Sequence, residues 1–326
     1  MAAKVFVTRS LPGPALAQLA KVVSLRCWSG PEPITAGQLH EELREAEGLL
    51  CLLTDHIDEA LLAAAPKLRV VSSCSVGVDH VDVAALTRRR IPLGHTPGVL
   101  VEATADLSFA LLLATARRIP EAERFVREGQ WTSARRWEPE LLLGKDLQGA
   151  TLGLVGLGAI GQAVARRAHG FGLKLIGWTP SGRTVPGVTA ASFEEVLAQA
   201  DIVSLHIALS ERTTHLINTA ALTRMKPDAI LINTARGQLV DEAALIAALR
   251  SGQLGAAALD VFEHEPIAAD HPLLALPNVV IAPHIGSATL GTRARMAQLA
   301  VDNLLAGLNS AEMPHCANPE VYRALP

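Results

Sequence analysis

The chain has 326 residues, 49% hydrophobic and 19% charged, with a formal net charge of −3. That length exceeds one ordinary domain and suits two, each able to bury a sizeable core. With so slight an acidic balance, no basic surface calls for nucleic acid or a membrane. The arginine runs at 88–90 and 135–136 read as solvated helix ends or interface residues.

In chain order, short apolar runs alternate with helix-period stretches. The first series of strands is predicted at 4–9, 22–27, 48–54, 68–74 and 91–96, and the second at 151–156, 174–178, 201–207, 229–235, 255–261 and 278–284. Runs this apolar and β-branched imply burial on both faces, hence parallel sheets. A buried connecting helix is expected from about Val101 to Gly129. After it, "WTSARRWEPELLLGKDLQGA" (131–150) carries two of the four tryptophans and reads as either a subunit arm or a floppy excursion. A last amphipathic helix, 290–308, has no strand after it and could return to the first domain. The predicted fold class is α/β: two doubly wound parallel-sheet domains, Rossmann-like or flavodoxin-like, with a cleft between them. The expected boundaries are 1–99 plus 289–326 for a substrate-binding domain and 100–288 for a dinucleotide-binding domain.

Cys27, Cys51, Cys74 and Cys316 show no metal or redox spacing. They point to a reducing compartment. The opening "MAAKVFVTRS" does not read as a signal peptide, and no apolar run has membrane-span length, so a cytoplasmic protein is expected. No metal site is indicated.

Gly156-Leu-Gly158-Ala159-Ile160-Gly161 follows a strand and opens a helix. Glycines there permit a tight turn and close backbone approach to a pyrophosphate, whose charge the helix N-terminus favours. An NAD site normally adds an acid at the end of the next strand. Here no Asp or Glu occurs from Leu173 to Phe193, and Thr179, Ser181 and Arg183 occupy the turn. A hydroxyl and a guanidinium suit a 2′-phosphate, which a carboxylate would repel. The expectation is therefore NADPH in preference to NADH, with NADH still possible; the alternative is that Arg183 points to solvent. One charge-assisted hydrogen bond of about 1.5–3 kcal/mol predicts a roughly ten- to hundredfold preference.

Arg236 closes "LINTARG", Glu265 stands in "VFEHEP", and His284 closes "VVIAPH". Ligand sites in open α/β sheets lie outside the carboxyl ends of strands, so all three point at one crevice. An arginine can grip a carboxylate with two parallel bonds, and a histidine beside a carboxylate can act as general acid or base. Of the other histidines, His206 reads equally as core or cofactor-lining, while His80, His95 and His264 read as turn or surface residues.

The stretches "GLGAIG", "NTARGQLVDE", "GAAALDVFEHEP" and "APHIGSAT", in this order, resemble the D-isomer-specific 2-hydroxyacid dehydrogenase family, and the similarity runs end to end. Within it, "KVFVTR", "GLLCLLTDHID", "HPLL" and "PHIGSAT" read like glyoxylate/hydroxypyruvate reductases. The resemblance implies reduction of a small 2-oxo acid, such as glyoxylate or hydroxypyruvate, to the D-2-hydroxy acid. It makes Arg236 the carboxylate clamp, His284 the proton donor and Glu265 its partner. Backbone N–H groups of Val76 and Gly77 would take the carboxylate, Leu53 would line the pocket, and Trp137 is the candidate aromatic from a homodimer partner's arm. Asp260 would orient the nicotinamide amide, and Thr104, His206, Thr213, Thr234, Ala235 and Gly286 would lie along the cofactor. Alternatives stay open: a D-lactate or phosphoglycerate dehydrogenase, or a dinucleotide-sensing scaffold without catalysis.

Overall fold

The computed structural model describes residues 2–323. One compact unit runs up to Leu100 and resumes at Ser287; the other spans Val101–Gly286. Each is built on a wholly parallel sheet.

In the first unit β1 (Lys4–Val7), β2 (Ser24–Cys27), β3 (Gly48–Cys51), β4 (Val70–Ser73) and β5 (Leu93–Gly94) pair in the order β2-β1-β3-β4-β5. β3 and β4 are buried at every position, as strands covered on both faces must be, whereas the edge strand β2 alternates exposed and half-buried. The returning helix Leu290–Leu308 buries Met296, Ala297, Ala300, Val301 and Leu304 against Val5, Val7, Leu50 and Val70. The chain thus completes this core only after the other unit has been made.

The second unit carries β6 (Thr151–Val155), β7 (Lys174–Trp178), β8 (Thr189–Ala190), β9 (Ile202–Leu205), β10 (Ile230–Asn233), β11 (Ala256–Leu259) and β12 (Val279–Ile281). Their order is β12-β11-β10-β9-β6-β7-β8. The chain starts in the middle, winds one way through β7 and β8, then crosses back to β9, so the order reverses between β6 and β9. Ligands in doubly wound sheets bind outside the strand ends at such a reversal. The two-residue β8, exposed at both positions, escaped the sequence reading because it has no apolar run.

The connecting segment differs from the single buried helix expected. Val101–Ala116 is a helix with eight buried residues, but it stops, Arg118 takes a left-handed φ of 52°, and a second helix, Ile119–Arg127, buries none. Pro120 explains the break. It has no N–H to continue the ladder back to Ala116, whose carbonyl instead accepts from Lys145 N–H at 2.7 Å. Beyond it Trp131, Trp137 and Leu143 are exposed, Trp137 at 82%.

Candidate active site

Parallel pairing in register is what assembles this site. Val155 sits opposite Trp178 and Leu205, Asn233 opposite Leu205 and Leu259, and Leu259 opposite Ile281. Residues just past that row therefore emerge along one edge of the seven-stranded sheet. They are Gly156, Thr179, His206, Thr234 and Asp260, with Arg236, Glu265 and His284 in the turns that follow.

Gly156 has φ 102°, and a Cβ on it would lie 2.5 Å from the His206 carbonyl group. A Cβ on Gly161 would lie 2.2 Å from the Gly156 oxygen, so the turn closes only with glycine at both positions. Gly158 faces open space, with nothing within 4 Å of a Cβ built there. It is also the N-cap of helix Ala159–Gly170 and offers that helix no side-chain cap, whereas Asp58, Asp82, Ser192, Asn218, Asp241 and Thr289 all cap their helices. Unsatisfied N–H groups beside exposed backbone fit a pyrophosphate. His206 behind the turn meets Ser204 Oγ through Nε2 at 2.9 Å, and burial pushes its pKa down to about 4, so it is neutral at physiological pH.

The turn after β7 is lightly built. Thr179 Oγ1 and Ser181 Oγ lie 3.3 Å apart, Gly182 N–H closes on the Thr179 carbonyl at 3.0 Å, and Arg183 is exposed with no ion pair among the described residues. Their character, two hydroxyls and a guanidinium with no acid, fits a 2′-phosphate.

On the other half of the edge the bonding is dense. His284 Nδ1 meets Glu265 Oε2 at 2.7 Å. A carboxylate can only accept, so Nδ1 carries the proton and Nε2 is the nitrogen left to exchange one with a substrate. Glu265 Oε1 accepts the Phe262 N–H at 2.9 Å. Burial opposes ionisation of Glu265, but the bonds from His284 and Phe262, with the His284 and Arg236 charges, hold its pKa below the ordinary value. His284 itself has φ 53°, a left-handed backbone that costs a non-glycine residue on the order of 1–3 kcal/mol. Asp260 compensates. Its carbonyl accepts His284 N–H at 2.8 Å, and its carboxylate takes Ile285 N–H at 2.7 Å and Gly286 N–H at 2.8 Å. Burial still raises the Asp260 pKa against those bonds.

Arg236 is held by its own turn. Asn233, fully buried at the end of β10, donates from Nδ2 to the Arg236 carbonyl at 2.7 Å and accepts Ala235 N–H at 3.0 Å; Arg236 Nη1 donates to the Ala235 carbonyl at 2.8 Å. A Cβ on the next residue, Gly237, would lie 1.8 Å from the Phe262 carbonyl carbon. The Arg236 turn therefore packs directly on the Glu265 turn. Helix Val101–Ala116 supports both sides: Thr104 Oγ1 donates to the Gly286 carbonyl at 3.2 Å, and Ser108 Oγ meets Thr234 Oγ1 at 2.8 Å. Thr213 is buried within its own loop, bonded to the Ala208 carbonyl at 2.8 Å.

The remaining candidates stand in the first unit. Leu53 is exposed at the apex of a turn after β3 that Asp55 ties down, its Oδ2 accepting from Leu52 N–H at 2.7 Å and from Thr8 Oγ1 at 2.5 Å. Val76 and Gly77 are half-buried in the loop after β4. Asn233 and Asp55 were not singled out from the sequence. The signal was present, since a buried amide or acid ending an apolar strand must be satisfied by something local. Among the described residues no cluster of His, Cys, Asp and Glu could hold a metal ion, and no helix is long and apolar enough to cross a membrane.

An NAD-type nucleotide edge joined to a His–Glu pair and an arginine defines a dinucleotide-dependent oxidoreductase class. Residues 109–286 match the D-isomer specific 2-hydroxyacid dehydrogenase, NAD binding domain. The chain is 46% identical over 330 residues to a glyoxylate reductase of Korarchaeum cryptofilum, covering 100% of this chain and 99% of that one. It is 45% identical over 331 residues to the glyoxylate reductase of Thermococcus litoralis, covering 100% of each. A solved protein of Thermus thermophilus superposes with a TM-score of 0.90 at 50% identity, over 96% of this chain and 99% of that one. An NADPH-dependent glyoxylate/hydroxypyruvate reductase of Sinorhizobium meliloti, solved with NADP and malonate, superposes at 0.89 with 33% identity over 100% of both chains. The chain belongs to the D-isomer-specific 2-hydroxyacid dehydrogenase family.

Proposed function

We propose that this protein reduces glyoxylate or hydroxypyruvate to the D-2-hydroxy acid, using NADPH in preference to NADH. The observation that carries the reading is the His284–Glu265 pair, 2.7 Å apart and backed by the Arg236 turn. Glu265 keeps Nδ1 protonated and stabilises the imidazolium, and Nε2 delivers a proton to the substrate's carbonyl oxygen as the alkoxide forms. Arg236, with the N–H groups of Val76 and Gly77, orients the substrate carboxylate, and Leu53 lines the side-chain pocket. The pyrophosphate sits at Gly158, Ala159 and Ile160, the 2′-phosphate at Thr179, Ser181 and Arg183, and Asp260 spends its remaining acceptor capacity on the nicotinamide amide. Thr104, His206, Thr213, Thr234, Ala235 and Gly286 line the same cofactor. When bound, the nicotinamide supplies the hydride that reaches the substrate's C2.

The exposed apolar residues Trp131, Trp137 and Leu143 of the 131–150 segment, with Ile119 and Val126 on the helix before it, support a homodimer in which this segment is an arm that covers a partner, with Trp137 reaching the partner's substrate. The relatives' printed activities support the substrate class. The direct test is loss of nicotinamide absorbance on mixing the protein with glyoxylate, hydroxypyruvate or pyruvate and either NADPH or NADH. Turnover with glyoxylate and NADPH is expected; none with any oxo acid would favour a dinucleotide-sensing scaffold.

A further inference from the structure

Polar side chains beneath the loop after β4 form a chain whose direction can be worked out. Ser75 Oγ lies 2.7 Å from the Gly77 carbonyl, 2.7 Å separates it from Ser73 Oγ, and Ser73 Oγ lies 3.0 Å from His80 Nε2. A carbonyl only accepts, so the Ser75 hydroxyl spends its one proton on Gly77. Ser75 Oγ must then accept from Ser73, and Ser73, its own proton spent, must accept from His80. The order is fixed as His80 Nε2–H to Ser73, Ser73 to Ser75, and Ser75 to the Gly77 carbonyl. His80 and His95 are thus more than turn or surface residues.

Two further contacts act on the same loop. His95 Nδ1 lies 3.0 Å from the Val76 carbonyl, so that nitrogen carries the proton, and Thr96 N–H donates to the Ser75 carbonyl at 2.7 Å. The carbonyls of Ser75, Val76 and Gly77 are thereby all tied. In a trans peptide unit the N–H points opposite to its C=O. The N–H groups of Val76, Gly77 and Val78, the other halves of these three units, are therefore turned away from those partners. None of the three has an acceptor among the described residues. Ser73 and Ser75 are buried, at 0% and 3% exposure, where an unmade hydroxyl bond would be costly, so the relay is not free to reorganise.

We propose that His80, Ser73, Ser75 and His95 are positioning residues that fix the peptide planes of 75–78 before substrate arrives, and that Val78 N–H is a third donor to the substrate carboxylate. The inference rests on the proposed assignment of this loop to the carboxylate.

Oxalate, a two-carbon dicarboxylate, separates binding from turnover. Calorimetry should show the Ser75→Ala variant binding oxalate about tenfold or more weakly than the unsubstituted protein, with NADPH affinity unchanged. His80→Gln, which keeps an N–H donor, should retain most of the affinity that His80→Phe loses. In amide NMR spectra of the unsubstituted protein, oxalate should shift the Val76, Gly77 and Val78 resonances together. Unweakened oxalate binding by Ser75→Ala, or oxalate binding that leaves those three amides unmoved, overturns the proposal. Should Ser75→Ala not fold, Ser73→Ala cuts the relay one step back and carries the same test. A protein that binds oxalate through these amides yet reduces no oxo acid would defeat the catalytic reading and leave the relay standing.

Discussion

The turn His284–Gly286 and the turn Thr179–Arg183 leave the same edge of one sheet and are built in opposite ways. The first gives all three of its N–H groups to Asp260, pairs its histidine with Glu265 and holds a left-handed φ at His284. The second keeps a 3.3 Å hydroxyl contact and one backbone turn bond, and leaves Arg183 exposed. Proton transfer is sensitive to small displacements, so its donor has to be held before substrate arrives. A phosphate carries its own charge and several acceptors, and can draw an exposed arginine onto itself. On the proposed reading, the densely bonded turn is the one that would carry chemistry, and the sparsely bonded one would only grip a ligand.

The sharpest way to break that contrast is at His284. For His284→Ala a loss of about 10²–10⁴ in turnover is expected, the usual worth of a positioned general acid, with NADPH binding intact. Near-normal turnover would remove His284 from the chemistry. Next comes the brace between the Arg236 and Glu265 turns. Gly237→Ala places a methyl 1.8 Å from the Phe262 carbonyl carbon, so backbone must shift, at about 1–3 kcal/mol or more. A lower melting temperature and weaker carboxylate binding are expected together, and an unchanged melting temperature would contradict the close packing.

On the adaptable side, Arg183→Ala should raise the KM for NADPH roughly ten- to hundredfold and leave that for NADH alone. Equal values for the two cofactors in the unsubstituted protein would already eliminate the proposed phosphate seat. The smallest effect is one of pH. The Glu265 pKa is lowered in the native state from its ordinary 4.5, despite burial, chiefly by the His284 bond. Its contribution to stability is therefore complete above the unfolded value and disappears as pH falls through the native one. The melting-temperature advantage over Glu265→Gln should shrink between about pH 6 and about pH 3; a growing advantage on acidification would mean the carboxylate is not ionised in the fold.

Much of this was legible in the residues themselves. Runs such as "KLIGW" and "AILINTA" are too apolar for anything but covered parallel strands, and the glycine turn follows β6 where a doubly wound sheet needs it. Polar residues placed just after strands announce an edge, which is how Arg236, Glu265 and His284 could be picked out together. Other features depend on which donor meets which acceptor, and residue types alone do not state that. Asn233 looks like any strand-end polar residue until its amide is found under Arg236, and "SSCSVG" does not reveal that His80 and His95 hold its carbonyls.

Periodicity and turn chemistry are local properties, and they determined the elements, their parallel pairing and the residues at the edge. The break at Arg118 was also written locally, in Pro120, although the length of the apolar pattern masked it. Only the tertiary structure decided which carbonyl each donor meets and which backbone is strained. Close approach, as of Gly237 to Phe262, depends on where two distant segments come to lie, and no spacing along the chain encodes that distance.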